Sequence, residues 1–225
     1  MSFLKPAFPD SARLAAQLPS IRRAMGDRAF SGRVLNAGCG EGLYCGFIES
    51  FPGVTRIDDV DLDVSPKFRE WHPDPRHHTT NGSLTSLPFG DNTFDGILCT
   101  EVLEHIPDDR LAARELARVS KAGALMVASV PRVPAPFDPN HAREGYSVES
   151  FTALVDEAGF TVHDHATCCH WPLRLVMAYW RRPWMTFGHA KTPYVPSLAM
   201  SAIAGIDRVT KIGSAWDLVV IATKR

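Results

Sequence analysis

Apolar positions along this chain switch between two spacings. Leu14, Leu18, Ile21 and Met25 recur three or four apart, which is the spacing of one helix face, and Pro19 predicts a break into two helices. Val34-Leu35 is a short apolar run that reads as a buried strand. Tyr44, Phe47, Ile48 and Phe51 return to helical spacing. Further strands are expected over Arg56–Pro66, His77–Thr80, Phe94–Cys99, Leu125–Val130, Thr161–Cys168 and Trp216–Thr223. Between them, Pro107 to Val119 predicts an amphipathic helix with Ala112, Leu116 and Val119 on one face. Ser147 reads as the N-cap of another, buried through Phe151, Leu154, Val155 and Ala158 and stopped by Gly159.

The first strand is followed by Gly38, Gly40 and Gly42, then by the helical run. Strand, glycine turn and helix in that order form a ligand-binding crossover, because glycines permit close backbone approach and a helix start offers unpaired N–H groups. A dinucleotide fingerprint requires Gly-x-Gly-x-x-Gly, and Leu43 stands where its third glycine belongs. The Gly-x-Gly-x-Gly that is present resembles the first motif of class I S-adenosylmethionine (SAM)-dependent methyltransferases, where the turn cradles the amino-acid end of SAM.

Three further stretches carry the same resemblance. Asp63-Val64-Ser65-Pro66 is similar to the family's Asp-apolar-Ser-Pro ending of the second strand. Leu87-Pro-Phe-Gly-Asp-Asn-Thr-Phe-Asp95, with Glu101-Val-Leu-Glu-His105 after the fourth strand, is the most specific match. Lys121-Ala-Gly-Ala124 resembles the turn before the fifth strand. The sequence departs from the family at Asn36 and Ser83, positions where an acid is common, and at Ala124, where a second glycine is. The resemblance covers roughly residues 33–168 and the final strand. It implies an α/β fold with a doubly wound, Rossmann-like, seven-stranded sheet, the last strand antiparallel between strands five and six. It also implies SAM as cofactor. Asn36, Gly38, Gly40 and Gly42 would serve the methionine end, Asp63 the ribose (Asp61 as second choice), Ser83 and Leu84 the adenine, and Glu101 the methyl-transfer site.

Methyl transfer from a sulfonium needs in-line positioning above all, and an oxygen acceptor of high pKa also needs a base. His105 is the first candidate for that base and His141 the second. Arg143, whose guanidinium suits a carboxylate or phosphate, and Tyr146 are candidates for substrate binding. No metal is expected: His163, His165, Cys168, Cys169 and His170 lack the separated ligand pairs of a zinc site.

Composition narrows the partners. The 225 residues carry 24 basic and 25 acidic side chains, a net charge of -1, so no basic stripe points to nucleic acid. Five cysteines, an odd number, without a secretory signal suggest reduced thiols and a cytoplasmic location. No apolar run approaches the roughly 20 residues of a membrane span. The expected organisation is a helical lead-in over 1–32 and a catalytic domain over 33–225, with 169–213 as an aromatic cap before the last strand. A helix is expected from Pro172 with Leu173, Val176, Met177 and Trp180 on one face; Tyr179, Trp184 and Tyr194 add to the apolar surface. Such a cap suits a small-molecule or lipid- or glycan-linked acceptor, or a homodimer contact. Two other classes stay open: a SAM-fold partner subunit without catalysis, and an NAD(P)-dependent oxidoreductase.

Overall fold

The computed structural model describes residues 9–134, 138–171, 173–175 and 197–225. The described residues begin with helix α1 (Pro9–Met25), then β1 (Gly32–Ala37), α2 (Cys45–Glu49), β2 (Val54–Asp61), α3 (Phe68–Trp71), β3 (His77–Asn81) and β4 (Phe94–Thr100). A single 3-10 turn (Leu103–His105) leads to α4 (Asp109–Val119), β5 (Ser120–Pro131), α5 (Val148–Glu157), β6 (Phe160–Cys168), α6 (Ser197–Thr210) and β7 (Asp217–Lys224). The seven strands form one sheet in the order β3-β2-β1-β4-β5-β7-β6. All pairs are parallel except those of β7, which runs antiparallel between β5 and β6.

Both faces of this sheet are covered, which is why its central strands read as continuous apolar runs rather than as alternation. Val34, Leu98, Val127, Val219 and Ile221 pack on one side with residues of α1, α2 and α6. Their neighbours Leu35, Ile97, Met126, Ala128, Leu218 and Val220 pack on the other with α4 and α5. Full burial of each large side chain contributes about 1.5–3 kcal/mol. The caps expected at α5 are present: Ser147 accepts from Ser150 N, and Gly159 takes φ +109°.

One expectation fails at Pro19, since α1 is a single helix with Pro19 inside it. The missing N–H removes one backbone bond. Yet Ala16, Ile21, Ala24 and Met25 are all buried, so packing outweighs the local defect. The helix expected from Pro172 is described only at Leu173–Leu175. Its Val176, Met177 and Trp180, with Tyr179, Trp184 and Tyr194, lie outside the described residues.

Candidate active site

The sheet order reverses at β1, whose neighbours β2 and β4 lead away in opposite directions, and a ligand crevice opens at the carboxyl ends of such strands. Gly38, Gly40 and Gly42 form the turn after β1 with φ of +71°, +50° and +83°. A Cβ on Gly38 would stand 2.3 Å from Val102, and one on Gly42 would stand 2.1 Å from His72 Nε2. Among the described residues, nothing lies within 4 Å of a Cβ placed on Gly40. The turn is therefore packed at both ends and open in the middle.

Of the four aspartates on β2 and beyond it, two are committed internally. Asp58 is buried and receives both Arg33 and Arg56, whose guanidinium hydrogen bonds hold its carboxyl below the usual range against the opposing effect of burial. Asp59, also buried, accepts from Asn36 Nδ2 at 2.7 Å and lies 2.6 Å from His77 Nδ1. Asn36 thus points into the sheet's own polar network. Asp61 closes β2. Its Oδ2 accepts from Gly40 N at 2.8 Å, and its backbone O accepts from Gly82 N at 2.8 Å. Asp63 lies two residues past the strand, exposed. Ser83 Oγ accepts from Thr85 N at 3.2 Å and contacts Thr85 Oγ1, while Leu84 is buried.

Glu101 follows β4 with φ +57°, a left-handed conformation that costs a non-glycine residue about 1–3 kcal/mol. Its Oε1 accepts from Ser129 Oγ at 2.7 Å and from Gln17 Nε2 at 3.2 Å. Its Oε2 is buried without a hydrogen bond, 3.5 Å from Arg13 Nη1. Arg13 Nε is likewise buried without a hydrogen bond, 3.7 Å from Asp217 Oδ2. Burial, followed by the charge of Asp217, pushes the Glu101 carboxyl up to about 7. Gln17 completes the cluster: its Nε2 also donates to Asp217 Oδ2 at 2.9 Å, and its Oε1 accepts from Tyr44 OH. The lead-in helix therefore both packs on the sheet and walls the crevice beside the glycine turn. Pattern reading passed over Arg13, Gln17 and Asp217. The available signal was Gln17 itself, a polar residue one and two turns before Ile21 and Met25 on the same buried face.

The remaining candidates divide. His105 sits on the 3-10 turn with its ring edge-on to that of His141, centroids 4.7 Å apart. Arg143 is fully engaged: it donates to Asp109, to Tyr146 OH and to the carbonyls of Leu103, Ile106 and Pro107. Tyr146 OH is 2.8 Å from Asp109 Oδ2, and its side chain is buried. This pair, expected from sequence to bind substrate, anchors the loop after β5 to the turn after β4. His163 bonds Thr223 Oγ1, and His170 bonds Asp207. A cavity of about 250 Å³ lies elsewhere, between α1, β6 and the end of α6, and is lined by no glycine-turn residue.

A glycine turn at the switch point of this sheet, with β7 antiparallel beside β5, defines a class I methyltransferase fold. Residues 35–128 match the family described as a methyltransferase domain. A probable SAM-dependent methyltransferase of Mycobacterium tuberculosis is 30% identical over 155 residues, covering 66% of this chain and 55% of that protein. The [4+2]-cyclase SpnF has a similar structure (TM-score 0.62, 20% identity, 95% of this chain and 81% of that one). So has the 1,6-didemethyltoxoflavin-N1-methyltransferase of Burkholderia thailandensis, crystallised with S-adenosylhomocysteine (TM-score 0.58, 21% identity, 93% and 78%). The fold is that of the class I SAM-dependent methyltransferases, and residues 35–128 are similar to their methyltransferase domain, a domain that uses SAM as cofactor. It spans about half the length of the curated relatives it matches. Among the described residues, no helix is long and apolar enough to cross a membrane.

Proposed function

We propose that this protein transfers the methyl group of SAM to oxygen or nitrogen of a small-molecule or lipid- or glycan-linked acceptor by in-line displacement. The observation that carries the reading is the pair of unbonded atoms beside the glycine turn. Glu101 Oε2 and Arg13 Nε make no hydrogen bond, their nearest charged partners being Arg13 Nη1 at 3.5 Å and Asp217 Oδ2 at 3.7 Å. Together they complement the ammonium and carboxylate of an α-amino acid, which is the methionine end of SAM. SAM supplies a methyl already activated by positive sulfur, so the protein's task is to bind, orient and exclude water.

Gly38, Gly40 and Gly42 would follow the methionine end closely. Asp61, in place of the Asp63 favoured by motif, would accept the ribose hydroxyls, since it stands at the strand end against Gly40. Leu84 would pack on the adenine and Ser83 would border it. A hydroxyl acceptor would need a base, for which His105 and His141 offer ring nitrogens wherever these are not engaged by an ion; an amine acceptor would need none.

A second reading has one observation in its favour. The similarity to SpnF, by name a cyclase, is of the same order as that to a methyltransferase, so a SAM-fold chain that does not transfer methyl groups fits the fold equally. Calorimetric titration with SAM, S-adenosylhomocysteine and NAD tests the cofactor. Micromolar binding of the first two alone supports the proposal. Binding followed by no turnover across an acceptor screen supports the second reading, and binding of NAD alone overturns both.

A further inference from the structure

The fold brings Glu104, His105 and His141 together at the carboxyl end of β4, and we propose that these three side chains hold a first-row divalent cation. One ligand atom from each lies within 4.8 Å of the other two. Two of them are adjacent in sequence, while His141 arrives from the loop after β5. Ala142 N donates to Glu104 O at 2.8 Å and pins that loop in place.

The hydrogen bonds around the cluster select a cation. His105 Nδ1 lies 3.1 Å from Asn140 O. A carbonyl only accepts, so Nδ1 carries the hydrogen, and in the neutral ring Nε2 keeps its lone pair. That nitrogen is 3.7 Å from Glu104 Oε1, and the other oxygen, Oε2, is buried with no hydrogen bond. Lone pairs of nitrogen and carboxylate facing one another repel unless a proton or a metal cation sits between them, and the third ligand atom, from His141, gives the metal its place. Two ligands bound tetrahedrally at about 2.1 Å stand about 3.4 Å apart, so the observed spacing needs little adjustment. An imidazole that donates its other N–H to a backbone carbonyl is also the usual support of a metal-ligating histidine.

Glu101, Glu104 and Asp217 are acidic side chains gathered near Arg13, and burial, followed by the charge of Glu101, pushes the Glu104 carboxyl up to about 9, so a cation would bind there by displacing a proton. Asp138 Oδ2, 4.0 Å from His141 Nε2, adds a further negative group at the rim. Two imidazoles and one carboxylate suit zinc, cobalt, manganese or ferrous iron and leave coordination positions open. His105 is 42% exposed, so an ion and a ligand oxygen can reach the site. Sequence spacing concealed this arrangement, because His141 lies 36 positions beyond His105 and the two meet only through the sheet.

The test is titration of the chelator-treated full chain with Co²⁺, followed by visible ligand-field absorption. One equivalent should bind with bands of low-symmetry nitrogen–oxygen coordination. His141→Ala and His105→Ala should each weaken binding by about tenfold or more. Glu104→Gln should do the same, and because Glu104 is buried, the two histidine variants keep the test valid if that protein fails to fold. Retained S-adenosylhomocysteine binding by His141→Ala, measured without metal, shows that the variant is folded. No ligand-field absorption at one equivalent, or unchanged affinity in His141→Ala, would overturn the assignment. So would an intense near-ultraviolet sulfur-to-cobalt band, which would place the ion at Cys168 and Cys169 instead.

Discussion

Gln17 and Glu101 stand 84 positions apart and share a 3.2 Å hydrogen bond, so a helix that precedes the sheet in sequence helps to shape the crevice at its centre. The same amide meets Asp217 and the hydroxyl of Tyr44. Gln17→Ala leaves that buried hydroxyl without its hydrogen bond. A loss of about 1–3 kcal/mol in urea unfolding is expected, since an orphaned buried polar group costs that much.

The glycine turn separates two effects that are usually confounded. Gly42→Ala forces a side chain to φ +83° and into His72, so both stability and S-adenosylhomocysteine affinity should fall. Gly40→Ala meets only the left-handed penalty of roughly 1–2 kcal/mol, because no atom of the described residues lies within 4 Å of the new methyl. A melting temperature lowered by a few degrees together with near-complete loss of ligand binding would show that the open space above Gly40 belongs to the cofactor. Unchanged binding would remove it from the site.

Asp61→Asn should weaken S-adenosylhomocysteine binding by about tenfold or more, the value of a hydrogen bond to a charged acceptor. Asp63→Asn should leave it within twofold. The reverse pattern in calorimetry would restore the motif-based assignment.

The acidity of Glu101 makes a signed prediction. Its folded pKa is about 7 against an ordinary 4.5, so the native state keeps a proton that the unfolded chain releases. Its contribution to stability therefore declines as pH rises from about 4.5 to 7 and is constant above that. An ammonium ligand requires the ionised form, so S-adenosylhomocysteine affinity should climb between pH 6 and 8. Glu101→Gln should flatten that slope; a parallel slope in the variant would assign the titration to another group.

Arg143→Ala should lower stability without a selective rise in acceptor KM, since its guanidinium is consumed by Asp109, Tyr146 and three carbonyls. Breaking so enclosed a charge pair costs about 3–5 kcal/mol when the partner carboxylate is left buried, and less here because Asp109 is partly exposed. Denaturation curves alongside KM for any identified acceptor distinguish the two roles.

What the sequence conveyed was local. The glycine turn, the Ser147 cap and the apolar runs of β4, β5 and β7 are written in neighbouring residues, and the structure places them where those patterns point. The antiparallel seventh strand came from family resemblance, because no periodicity encodes direction. What local patterns leave out is long-range partnership. Asp63 was favoured over Asp61 on a four-residue motif, whereas Asp61's place depends on where β2 stops pairing with β1. Arg143 looked available because its partners Asp109 and Leu103 lie 34 and 40 positions away. Pro19 looked disruptive because burial of Ala16 and Ile21 cannot be seen in the helix alone.

The position of β7 also dictates an order of assembly. Among the described residues, strand β6 pairs with β7 alone, although it is synthesised some fifty residues earlier. Until β7 docks against β5, the edge of the growing sheet is exposed and β6 has nothing to join. Folding of this half of the molecule must wait for its last strand, a long-range pairing of the kind that slows folding. During that wait, the unpaired edge of β5 is open to pairing with another chain.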